Sequence, residues 1–353
     1  MNIEFKKNAF DILRIVCAIQ VMYGHFVEHF ALDSINPMFG KVLRITQFIP
    51  GRGVVVFFAI SGYLSICSIE KSSNYKEYFG KKVKRIYPEL LVAFVINTII
   101  IKLFYGFRCN YKEFLIYLFT QTTFFQFYTG EWLRQYGAGT ANGSLWTISV
   151  IVQFYLLIYV MFILLKDKSK EIWIGLYLFF VSFSIFLSNM QCIVPNSIFK
   201  ILSVSVFPYM HIFLAGVLCY LYRNNVLIWL KKKCILILPI YVLVRFLVIQ
   251  SVQATNINLG VNYDVFSSLL LSIGVIGIAY YIGEVNIKHE ISYSIFIYHM
   301  IFVNVGMEII KKSNMTDGGV LTIACFCAVI TVAVSLVSNL VINKNLKKNR
   351  GKL

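Results

Sequence analysis

The sequence predicts an all-α fold: a polytopic membrane protein of about ten transmembrane helices in one bundle. Three observations predict it. Of 353 residues, 58% are apolar and only 14% charged, whereas soluble domains run near one quarter charged. The apolar residues fall in blocks of about 20, the length that crosses a hydrocarbon core ~30 Å thick. Short basic stretches separate the blocks, and the alternation in ~10-residue segments that marks a membrane β-barrel is absent. These features exclude a disordered chain, a disulfide-scaffolded secreted domain and a soluble enzyme.

Ten spans are read in order, at 9–31, 52–70, 87–106, 145–165, 172–189, 201–222, 234–252, 262–283, 291–310 and 319–343. The first has no cleavage-site pattern and carries Arg14, His25 and Glu28, so a retained helix is expected rather than a signal peptide. The second opens on Gly51-Arg52-Gly53 and holds Ser61-Gly62, small residues that let a neighbouring backbone or ligand approach. The run Lys81-Lys82-Val83-Lys84-Arg85 leads into the third, with Pro88 expected near its first turn. The stretch 114–128 is apolar but short and polar in its middle. It is expected to be interfacial or re-entrant, because a full span there would invert every later one. The fourth span begins near Trp146, placed as an aromatic-belt residue would be. The seventh carries Arg245, which must find an acceptor or an aqueous cavity. The ninth holds His299. The fifth, sixth, eighth and tenth rest on length and apolarity alone. No linker, repeat or low-complexity run divides the chain, so residues 1–353 are expected to form one membrane domain.

The net charge is +17, from 33 Lys and Arg against 16 Asp and Glu. In a soluble protein this would suggest nucleic acid; here topology explains it, and no nucleic-acid partner is expected. With the N-terminus inside, 21 of the 33 basic residues fall in inner segments, 10 in or beside outer ones and 2, Arg14 and Arg245, within spans. That bias predicts a multi-pass protein of the cell membrane with both termini in the cytoplasm. Six cysteines lie in or next to apolar spans and read as small hydrophobes. Cys109 and Cys192 fall in outer loops, where a bridge is allowed by position but not supported by spacing.

Ionisable groups inside a span usually face the bundle interior and are site candidates by default. The first span holds Asp11, Arg14, His25, Glu28 and His29. Arg14 and His25 are eleven positions apart, about 20° beyond three full helical turns, so they project from one face ~16 Å apart along the axis. Arginine suits phosphate and histidine suits proton transfer near neutral pH. The plain structural alternative is an arginine at the inner interface and a packed histidine. His25-x-x-Glu28-His29 also matches the H-x-x-E-H pattern of a zinc-protease class. A catalytic zinc needs a third protein ligand, no partner motif is evident, and no metal is expected.

The motifs taken together resemble the acyltransferase 3 family of membrane O-acyltransferases. They are Asp11-x-x-Arg14, then His25 after ten intervening residues, FFAISGY at 57–63, RIYP at 85–88, LWTISVIVQFY at 145–155 and SYSIFIYH at 292–299. The resemblance runs from the first span to the ninth, in order. It implies a ten-helix domain that takes an acyl group, usually acetyl, from cytoplasmic acyl-CoA used as co-substrate, with no permanently bound cofactor. The acceptor it implies is a hydroxyl of a cell-envelope glycan or lipid-linked saccharide. It assigns activity to the paired Arg14 and His25, matches Asp11 to an acidic position and Arg85 to the Arg of RIYP, and leaves Ser61, Trp146 and His299 as supporting candidates. On this reading Arg14 and Arg85 bind the acyl-CoA phosphates and His25 is catalytic.

Two departures are visible. Ile151 stands where many relatives carry Glu, and no appended extracytoplasmic hydrolase-like domain is read. The chief competing class is a transporter or flippase for a lipid-linked glycan, whose internal repeats or paired Gly/Pro-broken helices are not evident. An envelope polymerase or glycosyltransferase would call for catalytic residues in a large outer loop, and outside 107–144 the outer loops are short.

Overall fold

The computed structural model describes residues 8–35, 38, 40–43, 52–190, 194–255, 260–313 and 315–350. All regular structure among them is helical. In order the helices are α1 (Phe10–His29), α2 (Gly53–Glu70), α3 (Tyr75–Phe104), α4 (Tyr111–Thr122), α5 (Trp146–Leu165) and α6 (Glu171–Asn189). They continue with α7 (Asn196–Ser203), α8 (Met210–Leu221), α9 (Arg223–Thr255), α10 (Gly260–Ile282), α11 (Ser292–Lys311) and α12 (Asp317–Arg350). Among the described residues, eight helices are long and apolar enough to cross a membrane: α1, α2, α3, α5, α6, Asp264–Ile282 of α10, α11 and Asp317–Ile342 of α12. The polytopic all-α membrane fold expected from the sequence is the one observed. The expected span 234–252 lies within α9.

Two local departures have physical causes. The third helix begins at Tyr75, well before 87, so the basic run is helical and Pro88 is interior. Asn74 Oδ1 accepts from Glu77 N at 3.0 Å while Glu77 Oε2 accepts from Ser73 N at 2.8 Å. These bonds satisfy free donors at the helix start and nucleate it early. Over 201–222 the chain forms α7 and α8 with a break at 204–209. Pro208 brings no N–H to that break. Gln153 of α5 fastens it, donating to Val204 O and accepting from Val206 N, both at 3.3 Å.

The chain packs as two compact units. Unit 1 comprises Met1–Arg14, Arg52–Phe79 and Val150–Asn286. Its centre is the crossing of α2 and α8. A Cβ on Gly62 would fall 2.0 Å from Phe213 O, and one on Gly216 would fall 1.9 Å from Ala59 O. Two glycines therefore bring the backbones together, as small residues do between membrane helices. Phe154 stacks on Phe213 at 4.5 Å and meets Phe58 edge-on at 5.1 Å. Tyr63 and Tyr280 share a 2.7 Å hydrogen bond between hydroxyls.

Unit 2 comprises Ile15–Gly51, Gly80–Ser149 and Ile287–Leu353. Here α4 folds back along α3. Its start is closed by the reciprocal Asn110–Glu113 capping box. Tyr117 bonds Thr98 at 2.9 Å, and Tyr87 donates to Thr122 O at 2.6 Å, so α4 runs antiparallel to α3. A 12-residue helix is too short to span, and polar groups at its end fasten it beside the Tyr87 end of α3. Its 12 residues fold back along α3 rather than forming a separate span.

Candidate active site

At the start of α1, Arg14 is 8% exposed and its Nη1 pairs with Asp11 Oδ1 at 3.3 Å. Asp11 thus holds the guanidinium from one turn below. α1 runs unbroken to His29, so its register is helical throughout.

Unit 2 gathers the imidazoles. His25 stacks on His299 with ring centroids 5.2 Å apart and on His29 at 5.6 Å. His299 is fully buried. Its Nδ1 lies 3.1 Å from Ile295 O, an acceptor, so the proton resides on Nδ1 and Nε2 keeps its lone pair. Among the described residues neither His299 Nε2 nor His25 Nδ1 has a hydrogen-bond partner. Buried nitrogens left open at one cluster are positioned for a ligand or a proton.

The backbone beside His299 is held by side chains from the segment preceding α5. Asn142 Nδ2 donates to Ile297 O at 2.8 Å, and Ser144 Oγ donates to Phe296 O at 2.9 Å. Further along α11, Asn304 Oδ1 accepts from Ala138 N at 2.9 Å, and its Nδ2 donates to Thr140 O and Ala141 O at 2.9 and 3.1 Å. Glu308 Oε1 accepts from Gly137 N at 2.9 Å. A buried polar seam thus fixes the irregular chain against α11. Sequence reasoning did not single out Asn142, Ser144, Asn304 or Glu308. Their signal was available, since polar groups inside an apolar helix or at its mouth must be satisfied.

At the beginning of α11 lies the other end of this unit's site. Arg85 Nη2 stands 3.8 Å from Glu290 Oε2, with its side chain 49% exposed. Tyr293 donates to Ile86 O at 3.0 Å, and Asn339 Nδ2 donates to Glu290 O at 2.9 Å, which locks the RIYP segment to the start of α11. His299 stands seven residues into that helix, about 10 Å along its axis. Unit 2 therefore presents a half-exposed guanidinium at one level and, further along, the half-buried His25 against the fully buried His299.

The remaining candidates take plainer places. Ser61 precedes the Gly62 crossing, and its carbonyl accepts from Ser65 Oγ at 2.6 Å. That makes FFAISGY a packing motif in unit 1. Trp146 is half-buried and opens α5 directly after the Asn142–Ser144 anchor. Cys109 is a free thiol, and Cys192 lies outside the described residues. His25, Glu28 and His29 offer ligand atoms that all lie within 4.8 Å of one another, a set able to hold a divalent ion.

Residues 7–340 match the family model described as an acyltransferase domain, that of acyltransferase 3. Nodulation protein 10 of Rhizobium leguminosarum bv. viciae is 27% identical over 318 residues, which cover 84% of this chain and 83% of that protein. A Shigella phage Sf6 protein named O-acetyl transferase is 28% identical over 186 residues, covering 51% of this chain and 53% of that protein. No solved structure matches. With the stacked histidines of α1 and α11, the basic RIYP segment and a family match over nearly the whole chain, the protein belongs to the acyltransferase 3 family of multi-pass membrane acyltransferases.

Proposed function

We propose that the protein transfers an acetyl group from cytoplasmic acetyl-CoA to a hydroxyl of a cell-envelope or exported glycan, with both termini in the cytoplasm. The observation that carries this reading is the His25–His299 pair, whose open nitrogens lie deeper in the unit that holds Arg85 at its edge. Acyl-CoA is a polyanion with a long, thin pantetheine arm. Arg85 is a phosphate partner in this unit, and Arg14 is the one that the family resemblance implies, each through charge-assisted hydrogen bonds. The arm then brings the thioester to the imidazoles.

His25 accepts the proton of the acceptor hydroxyl while its oxygen attacks the thioester carbonyl carbon. The tetrahedral intermediate collapses with cleavage of the C–S bond, and the imidazolium returns the proton to the leaving thiolate. The products are an O-acetyl ester and free CoA. General-base assistance of this kind contributes about 10²–10⁴-fold. Acetyl as the transferred group is supported by the name of the phage relative.

The test uses the purified full chain in liposomes with acetyl-CoA labelled in the acetyl group. Label released as acetate, or carried to an added glycan, is the expected result. Movement of a lipid-linked saccharide across the bilayer with no consumption of acetyl-CoA would establish the transporter reading instead.

A further inference from the structure

Between Glu171 and Glu284 the sequence contains a single acid, Asp264. Within unit 1, two arginines converge on it. Arg52, just before α2, donates from Nη2 to Asp264 Oδ2 and from Nη1 to Ser268 Oγ at 2.5 Å and Asp264 O at 3.4 Å. Arg245 of α9 donates from Nη1 to Asp264 Oδ1 at 3.1 Å. The arginine side chains are 19% and 11% exposed, and that of Asp264 is 33% exposed. One carboxylate cannot neutralise two guanidiniums. Among the described residues no other carboxylate pairs with either arginine, so the cluster keeps one positive charge in excess among apolar helices, an arrangement that is costly without a further partner.

The unfilled groups around it have a common character. Arg245 Nε is buried and, among the described residues, has no acceptor. His211 of α8 is 3% exposed, and among the described residues no side chain is hydrogen-bonded to either ring nitrogen. Even a neutral imidazole carries one N–H. Arg52 shares the Asp264 carboxylate with Arg245, and its charge acts on the His211 imidazole as well. A sugar hydroxyl would satisfy the donors but leave the excess charge. An oxyanion satisfies both.

We propose that Arg52, Arg245 and His211 form an oxyanion-binding site, entered beside Asp264 and suited to a phosphate or carboxylate group. Asp264 splays and fixes the two guanidiniums, and the ligand takes the remaining donors. The site lies toward one end of unit 1: Lys231–Lys233 precede Arg245 on α9 by about twelve residues, ~18 Å of helix. On the orientation proposed above, that end faces away from the cytoplasm. The binding chemistry does not depend on the acyl-transfer reading.

The test is binding to the full chain in phosphatidylcholine nanodiscs. Inorganic phosphate, followed by ³¹P line broadening, probes a soluble anion, and phosphatidylglycerol, followed by retention in native mass spectrometry, probes a lipid headgroup. Saturable binding of one equivalent of either probe is expected, weakened about tenfold or more in Arg245→Gln and in His211→Asn. Phosphate binding assigns a soluble anion, and retention of phosphatidylglycerol alone assigns a lipid. Should Arg245→Gln fail to fold, His211→Asn decides, since it leaves the arginine–aspartate contacts in place. No binding of either probe, or equal binding by folded His211→Asn, overturns the site. Acetyl-CoA turnover is not the readout, so either outcome leaves the transferase reading standing.

Discussion

His25 and His299 come from α1 and α11 and stack at 5.2 Å, although 273 intervening residues separate them in the chain. The pairing gives His299 a definite place. Its Nδ1 is engaged by Ile295 O, so it cannot rotate freely, and its open Nε2 belongs to the same buried cluster as His25 Nδ1. On the proposed mechanism His299 is a positioning residue for His25.

Replacing His299 with Asn should lower kcat about tenfold, equivalent to ~1.4 kcal/mol of transition-state stabilisation. KM for acetyl-CoA should stay within about twofold, because the change acts on the chemical step. A rise in KM at constant kcat would place His299 in substrate binding instead.

The His25–Glu28–His29 set offers a direct check on metal chemistry. Since His25 acts as a proton acceptor on this account, exhaustive treatment with EDTA should leave acetyl transfer unchanged. Excess Zn²⁺ should inhibit by occupying the imidazoles, and Glu28→Gln should weaken that inhibition. Activity lost with EDTA and restored by zinc would make His25 a metal ligand.

The α2–α8 crossing predicts a contrast between two glycines. Gly216→Ala forces a Cβ to 1.9 Å from Ala59 O and should destabilise the protein by at least about 1–3 kcal/mol, seen as loss of monodisperse protein on heating in detergent. Gly175→Ala on α6 meets nothing within 4 Å and should be neutral or stabilising by about 0.5–1 kcal/mol. Equal behaviour of the two would remove the crossing as a determinant of stability.

The proposed orientation, with both termini in the cytoplasm, rests on the distribution of Lys and Arg among the segments between spans. Cysteines placed at positions 74 and 315 should be labelled by a membrane-impermeant reagent from opposite sides. Labelling from the same side would reject the assigned topology.

Much of the architecture was legible because the bilayer imposes a length and polarity on each span. Arg245 announced its need for a partner from sequence, and the structure supplies Asp264. What the spans concealed was decided by single polar groups. The early start of α3 depends on Asn74 and Glu77, and the break before α8 on Gln153 and Pro208, all easily overlooked beside long apolar runs. His25 and His299 were each marked as intramembrane histidines, but their pairing was not, since stacking between helices far apart in sequence leaves no periodic trace. The Ser61-Gly62 pair could be read as ligand access or packing, and the α8 backbone against Gly62 explains the glycine as packing.

The central claim, that His25 carries the proton while arginine holds the phosphates, is tested most directly by measuring acyl-CoA binding and acetyl transfer in parallel on folded His25→Ala and Arg14→Ala proteins. His25→Ala should bind acetyl-CoA with nearly parental affinity yet lose transfer by about 10²–10⁴-fold, while Arg14→Ala should lose binding itself. Transfer at the parental rate by folded His25→Ala protein would show the imidazole to be structural and contradict the mechanism.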